Sequence, residues 1–255
     1  LKPLSPKGRR ALIMSDLLYK IARFSGAPFR YHVVGLEHVQ GDGPAIYVAN
    51  HLGSLGPIQM VLSLPLRFFP WIIADMLDPR RAPRYLYDDF VQPSLHISGK
   101  IGMAVSHLIC QISVPLLRAL GSIPVEKERG VFDLSFQRSM DLLHQGKNIL
   151  IFPEDNAGPY DPETGMRPFS CGFTWLCYRY QQTTGRPLPV YPVAVNHKAM
   201  MIAIGPPICY NPHGGRKRDL RELCAALKQS VHELGRSADP QPGKREKRPW
   251  RRLTK

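Results

Sequence analysis

The chain has 255 residues, and its 34 Lys and Arg against 20 Asp and Glu give a formal net charge of +14 at pH 7. With 44% apolar and 21% charged residues, it can bury a large core without disulfide support, and the composition excludes global disorder. The positive excess suits an anionic partner, whether nucleic acid, an anionic lipid surface or a phosphate-rich cofactor, and does not choose among them.

Residues 1–29 read as a basic amphipathic segment. Leu12, Ile13, Leu17, Ile21 and Phe24 fall near helical spacing, with Arg9, Arg10, Lys20 and Arg23 elsewhere on the surface. Such a helix either lies on a membrane or packs on the domain. The basic residues at 1–10 are followed by no uninterrupted apolar region with a small-residue cleavage site, so no signal peptide is expected.

Residues 30–235 alternate between two patterns. Apolar, β-rich runs at Tyr31–Val34, Ala45–Ala49, Trp71–Ala74, Ser122–Val125, Asn148–Phe152, Leu188–Val195 and Met201–Ile204 predict strands. Helical spacing occupies Pro57–Leu64, Ile101–Leu120, Phe132–Gln145, Phe173–Gln182 and residues 217–235. This alternation predicts an α/β fold with a mostly parallel central sheet flanked by helices. Ile101–Leu117 carries no charge, but Ser106, His107, Gln111, Ser113 and Pro115 interrupt it. It reads as a buried or interfacial helix rather than a membrane span. Residues 76–100, with Pro79, Pro83 and Pro93, read as an irregular insertion over the sheet edge. The tail 236–255 holds eight basic and two acidic residues, net +6. Its Pro, Gly and charge content predicts a disordered polybasic end that is either solvated or drawn to an anionic surface.

The five cysteines, Cys110, Cys171, Cys177, Cys209 and Cys224, are odd in number and show no C-x-x-C spacing. Neither a zinc ribbon nor a disulfide framework is expected, and a reducing compartment fits best.

In an open α/β sheet, chemistry gathers beyond the carboxyl ends of the strands. The run Val48 to Pro57 ends a strand at Asn50-His51, adds a small-residue loop and starts a helix at Pro57. An imidazole there titrates near neutrality and can take a proton from a hydroxyl. Gly121 to Gly130 places Lys127 and Arg129 just after a strand, where they could clamp a phosphate. Asn148 to Gly158 ends a buried strand in a turn bearing the adjacent carboxylates Glu154 and Asp155. Leu188–Val195 reads as a structural strand. His232-Glu233-Leu234-Gly235 lacks the second His of a zincin motif, so no metal site is expected. Ser54 reads as a helix-start hydrogen-bonder rather than a nucleophile.

In this order and at these separations the segments resemble the glycerolipid acyltransferase family, the lysophosphatidate acyltransferase-like group. The resemblance spans roughly residues 30–210. It rests on Val34 to Val39, Gly43 to Ile46, Asn50-His51, Leu117 to Arg129, Phe152-Pro153-Glu154, Met166 to Gly172 and Pro192 to Val195. It implies an α/β sheet held on the cytoplasmic face of a membrane by N-terminal helices, with no cofactor and no metal. Acyl-CoA or acyl carrier protein would donate an acyl chain to a lysophospholipid. By the same resemblance His51 is the general base, within a motif that includes Asn50 and residue 56. Lys127 binds the acceptor phosphate with help from Arg129, and Phe152, Pro153 and Glu154 shape the acceptor site.

Three departures from the family pattern stand out. Gly56 stands where the family has its catalytic Asp, Asp155 and Asn156 replace a Gly-Thr pair, and Ala157 replaces an Arg. Spoiling the equivalent Asp of the serine-protease triad costs about 10⁴ in rate. Either Asp155 or Glu154 is then the candidate to orient His51. The alternative is an acyltransferase-like protein that binds lipid or acyl-thioester with little or no turnover. Nucleic-acid binding would need aromatics interleaved with the basic residues. The tail offers only Trp250, so nucleic acid is not an expected partner.

Overall fold

Strands covered on both faces are apolar throughout, without the alternation of a half-exposed strand. The computed structural model builds seven strands into one sheet, its middle strands of this kind and its edge strands partly exposed. It describes residues 16–237 apart from 18, 22, 25, 42, 52–54, 127–133, 156 and 157. In chain order the elements are β1 (His32–Val34), β2 (Ile46–Ala49), α1 (Leu55–Ser63), β3 (Phe68–Ile73), α2 (Ala82–Leu86), α3 (Gln92–Leu95), α4 (Gly99–Ala119) and β4 (Ile123–Val125). There follow α5 (Leu134–His144), β5 (Asn148–Ile151), α6 (Thr174–Thr184), β6 (Val190–Asn196), β7 (Met201–Ile204) and α7 (Arg216–Ser237).

The strand order is β1-β7-β6-β2-β5-β3-β4. From β6 to β4 every neighbouring pair is parallel. β7 runs antiparallel to β6 and carries β1 parallel to itself at the edge. The expected α/β architecture is the one observed. β3 starts earlier than its apolar pattern predicts because Pro70 interrupts the run. Phe68–Pro70 pair with β5, and Trp71–Ile73 pair with β4.

Strand alternation divides the core into two layers. Ile46 and Val48 of β2, with Ile149 and Ile151 of β5, face Phe136 and Leu143 of α5, Leu176 of α6 and Leu227 of α7. Tyr47, Ala49 and Leu150 point the other way, onto Met60 of α1, Leu64, Val193 and Tyr19. Each large side chain fully buried this way contributes about 1.5–3 kcal/mol.

Helical residues between Asp16 and Phe24 dock on the second layer through Tyr19. Its hydroxyl donates to the Leu66 carbonyl at 2.7 Å, and the Arg67 guanidinium lies 4.4 Å above its ring. Leu17, Ile21 and Phe24 remain exposed. The rest of the N-terminal segment, and the tail from 238 on, lie outside the described residues.

Residues 76–100 form helices rather than the irregular insertion expected. A 3₁₀ turn at Ala74–Leu77, α2, one turn of π-helix at Tyr87–Val91, and α3 pack on α4 around Ala82, Leu86, Val91, Cys110 and Val114. Pro83 and Pro93 each occupy the first turn of a helix, where the missing N–H is no loss. α4 presents Gly102, Ser106, Cys110 and Val114 inward at four-residue spacing. A Cβ on Gly102 would meet the Ile97 carbonyl oxygen and the Tyr87 ring, so only Gly permits this approach. The opposite face leaves Ile101, Leu108 and Ile112 at 72%, 63% and 71% exposure.

Cys171 and Cys224 form a disulfide that ties the residues before α6 to α7, their Cα atoms 5.6 Å apart. This corrects the reading of the cysteines as unpaired. The partners are 53 residues apart in sequence, a spacing that resembles no motif, and only the packing of α7 beside α6 brings them together. Cys110, Cys177 and Cys209 are free thiols.

Candidate active site

β2 and β5 are parallel neighbours with Val48 opposite Ile151, so both leave the sheet at the same edge. Three residues further along each strand stand His51 and Glu154. The His51 backbone N–H donates to Glu154 Oε1 at 2.7 Å. Glu154 Oε2 accepts the Arg167 backbone N–H at 3.0 Å. One carboxylate therefore pins the end of β2 to the segment that leads into α6. That segment is also held by Asp155 N–H to Pro168 O and Ser170 N–H to Pro153 O, both 2.8 Å.

On the other side of β2, the Asn50 carboxamide continues the ladder to β6. Its Oδ1 accepts the Val195 N–H at 2.8 Å, and its Nδ2 donates to the Val195 carbonyl at 3.2 Å. Both ends of Asn50 thus serve the backbone of β6.

The His51 ring stands edge-on to Phe152, centroids 5.6 Å apart. Among the described residues, neither ring nitrogen has a hydrogen-bond partner. Burial lowers its pKa below the ordinary value of 6.5, Asp89 and then Glu154 oppose that, and Arg167 adds to it. Burial thus favours the neutral imidazole, the protonation state a base requires.

His51 opens onto a cavity of ≈ 770 Å³, within the roughly 300–1,000 Å³ range of small-molecule sites. Ile58, Trp71, Phe90, Leu117, Phe136 and Phe173 supply apolar wall. Among the described residues, the charged groups on the wall are Asp89, Glu126, Glu154 and Asp155.

Of the residues singled out in the sequence, His51, Phe152, Pro153, Glu154 and Asp155 all line this cavity. Gly56 is buried in the first turn of α1, next to Pro57 on the wall. Lys127 and Arg129 lie outside the described residues, and Glu126 just before them is on the wall. Both oxygens of Glu154 are engaged by backbone N–H groups, so it positions the His51 backbone rather than the ring. Sequence reasoning missed Asp89 and the charge of Arg167. Asp89 lies in the Pro-rich insertion, whose packing over the sheet edge leaves no periodic signal. Arg167 lies in the Met166 to Gly172 stretch, and only the turn after β5 brings it near His51.

A strand-end His beside a largely apolar cavity thus stands on a mixed sheet of seven mostly parallel strands between helices, an α/β fold. Among solved structures it is similar to the 1-acyl-sn-glycerophosphate (LPA) acyltransferase PlsC from Thermotoga maritima. The TM-score is 0.50 at 12% sequence identity, over 91% of this chain and 83% of that one. No protein-family model matches the sequence, and no curated protein matches it. At this identity the likeness is one of fold.

Proposed function

We propose that this protein is a membrane-surface O-acyltransferase. It moves an acyl chain from acyl-CoA or acyl carrier protein to the free hydroxyl of a lysophospholipid of lysophosphatidate type. The observation that carries this reading is the His51 imidazole on the wall of a largely apolar cavity beyond the carboxyl ends of β2 and β5.

The acceptor hydroxyl donates its proton to a His51 ring nitrogen as its oxygen attacks the thioester carbonyl. The new C–O bond forms, the C–S bond breaks, and the imidazolium returns the proton to the departing thiolate. The products are an ester and a free thiol, and the step uses no metal or cofactor. The apolar wall receives the acyl chain. Lys127 and Arg129, which follow Glu126 of the wall in sequence, meet the acceptor phosphate. Leu17, Ile21 and Phe24, with the exposed face of α4, rest on an anionic cytoplasmic leaflet.

A second reading is favoured by Gly56 and by the unbonded His51 ring: a protein of this fold that holds lipid or acyl-thioester without turnover. Transfer from labelled acyl-CoA to lysophosphatidate in mixed micelles separates the two. The proposal expects transfer by the wild type and a loss of about 10²-fold or more in His51→Ala. Binding of acyl-CoA without transfer, across varied donors and acceptors, would overturn catalysis and favour the second reading.

A further inference from the structure

An imidazole base works through one nitrogen while the other N–H is held by an acceptor, which fixes the tautomer and stabilises the imidazolium as it forms. Gly56 has no side chain to do this. Glu154 has both oxygens on backbone N–H groups. Glu126 and Asp155 have interactions of their own.

Asp89 remains. It stands on the turn of π-helix between α2 and α3. The turn brings Asp89 and Phe90 to the cavity wall, beside Tyr85 and Leu86 of α2. Such turns re-aim side chains and recur at functional sites. Its neighbour Asp88 pairs with Arg84 at 2.8 Å. Asp89 has no hydrogen bond or ion pair among the described residues. We propose that Asp89 positions the His51 imidazole from across the cavity, as the carboxylate partner of the base.

This inference rests on the reading of His51 as the general base. The charged groups that bear on the ring are Asp89, Glu154 and Arg167. Asp89 raises the pKa more than Glu154 does, although Glu154 Oε1 lies 2.7 Å from the His51 backbone nitrogen. Asp89 lines the cavity and is exposed, so water screens it. A bound substrate displaces that water and tightens the pair.

The test is an NMR titration of the full-length protein carrying ¹⁵N-labelled imidazoles, with the His51 signals assigned by their loss in His51→Gln. In Asp89→Asn, the His51 pKa is expected to fall by about 0.5–1 unit and the tautomer ratio to change. Asp88→Asn should leave both as in the wild type. In the acyl-transfer assay, Asp89→Asn should lower kcat by about 10²–10⁴-fold with KM little changed, and Asp89→Glu should recover part of the loss. An unmoved His51 titration and tautomer ratio, in an Asp89→Asn protein with wild-type thermal melting, would overturn the proposal. The titration needs no substrate. A wild type without transfer whose His51 titration still responds to Asp89→Asn would therefore fail the acyltransferase reading while the pair stands.

Discussion

Glu154→Ala gives the most direct test of how the candidate site is held together. The carboxylate accepts the backbone N–H of His51 at 2.7 Å and that of Arg167 at 3.0 Å. A hydrogen bond to a charged acceptor is worth about 1.5–3 kcal/mol, and a donor left buried without a partner costs a similar amount. Two such bonds amount to about 3–6 kcal/mol. The Glu154 site is only half-buried, so water takes over part of that role, and a net destabilisation of about 2–4 kcal/mol is expected. For a chain of 255 residues, that lowers Tm by roughly 4–16 °C, at about 2–4 °C per kcal/mol. Glu154→Gln keeps one acceptor oxygen and should lose roughly half as much. Urea unfolding followed by circular dichroism measures both. Acyl transfer should fall in parallel, because a slip of ~1 Å in a catalytic group can cost about 10²-fold. A Glu154→Ala protein within about 0.5 kcal/mol of wild type would refute the idea that this carboxylate joins the two segments.

Three further outcomes are expected. Because burial holds the His51 pKa below its ordinary value of 6.5, kcat/KM should rise with pH along a one-proton limb centred below that value and be flat through neutrality. The same depression means that the unfolded chain binds the proton more readily. The His51 contribution to stability is therefore complete above about pH 6.5 and declines as pH falls through that value toward the folded pKa. A rate limb centred above pH 6.5 would contradict the assignment of His51 as the base. For the membrane surface, the triple variant Ile101→Ser, Leu108→Ser and Ile112→Ser is the probe. Partial burial of three large apolar side chains in lipid is worth about 2–4 kcal/mol, so flotation with anionic vesicles should weaken by about 30-fold or more. Unchanged flotation would refute α4 as the membrane-facing surface.

The site was legible in part, and the residues show where legibility stops. His51 and Glu154 could be found because each ends an apolar run. A strand buried on both faces writes itself into the sequence as such a run, and function sits just past its carboxyl end. That Glu154 holds the His51 backbone, and not its ring, depends on the register of Val48 against Ile151, which neither strand encodes alone. Asn50 is a similar case. Its place in the motif resembled a binding residue, while its carboxamide serves Val195 of β6.

Taken by itself, the amino-acid sequence determined the α/β class, the seven strand runs and the strand-end His, because burial period and turn chemistry act over a few neighbouring residues. Only the tertiary structure decided three further features. It made the Pro-rich stretch helical over α4, joined Cys171 to Cys224, and brought Asp89 to the cavity of His51. Each of these depends on contacts between residues dozens of positions apart. Such contacts form only when the whole core packs, and they leave no local pattern to read.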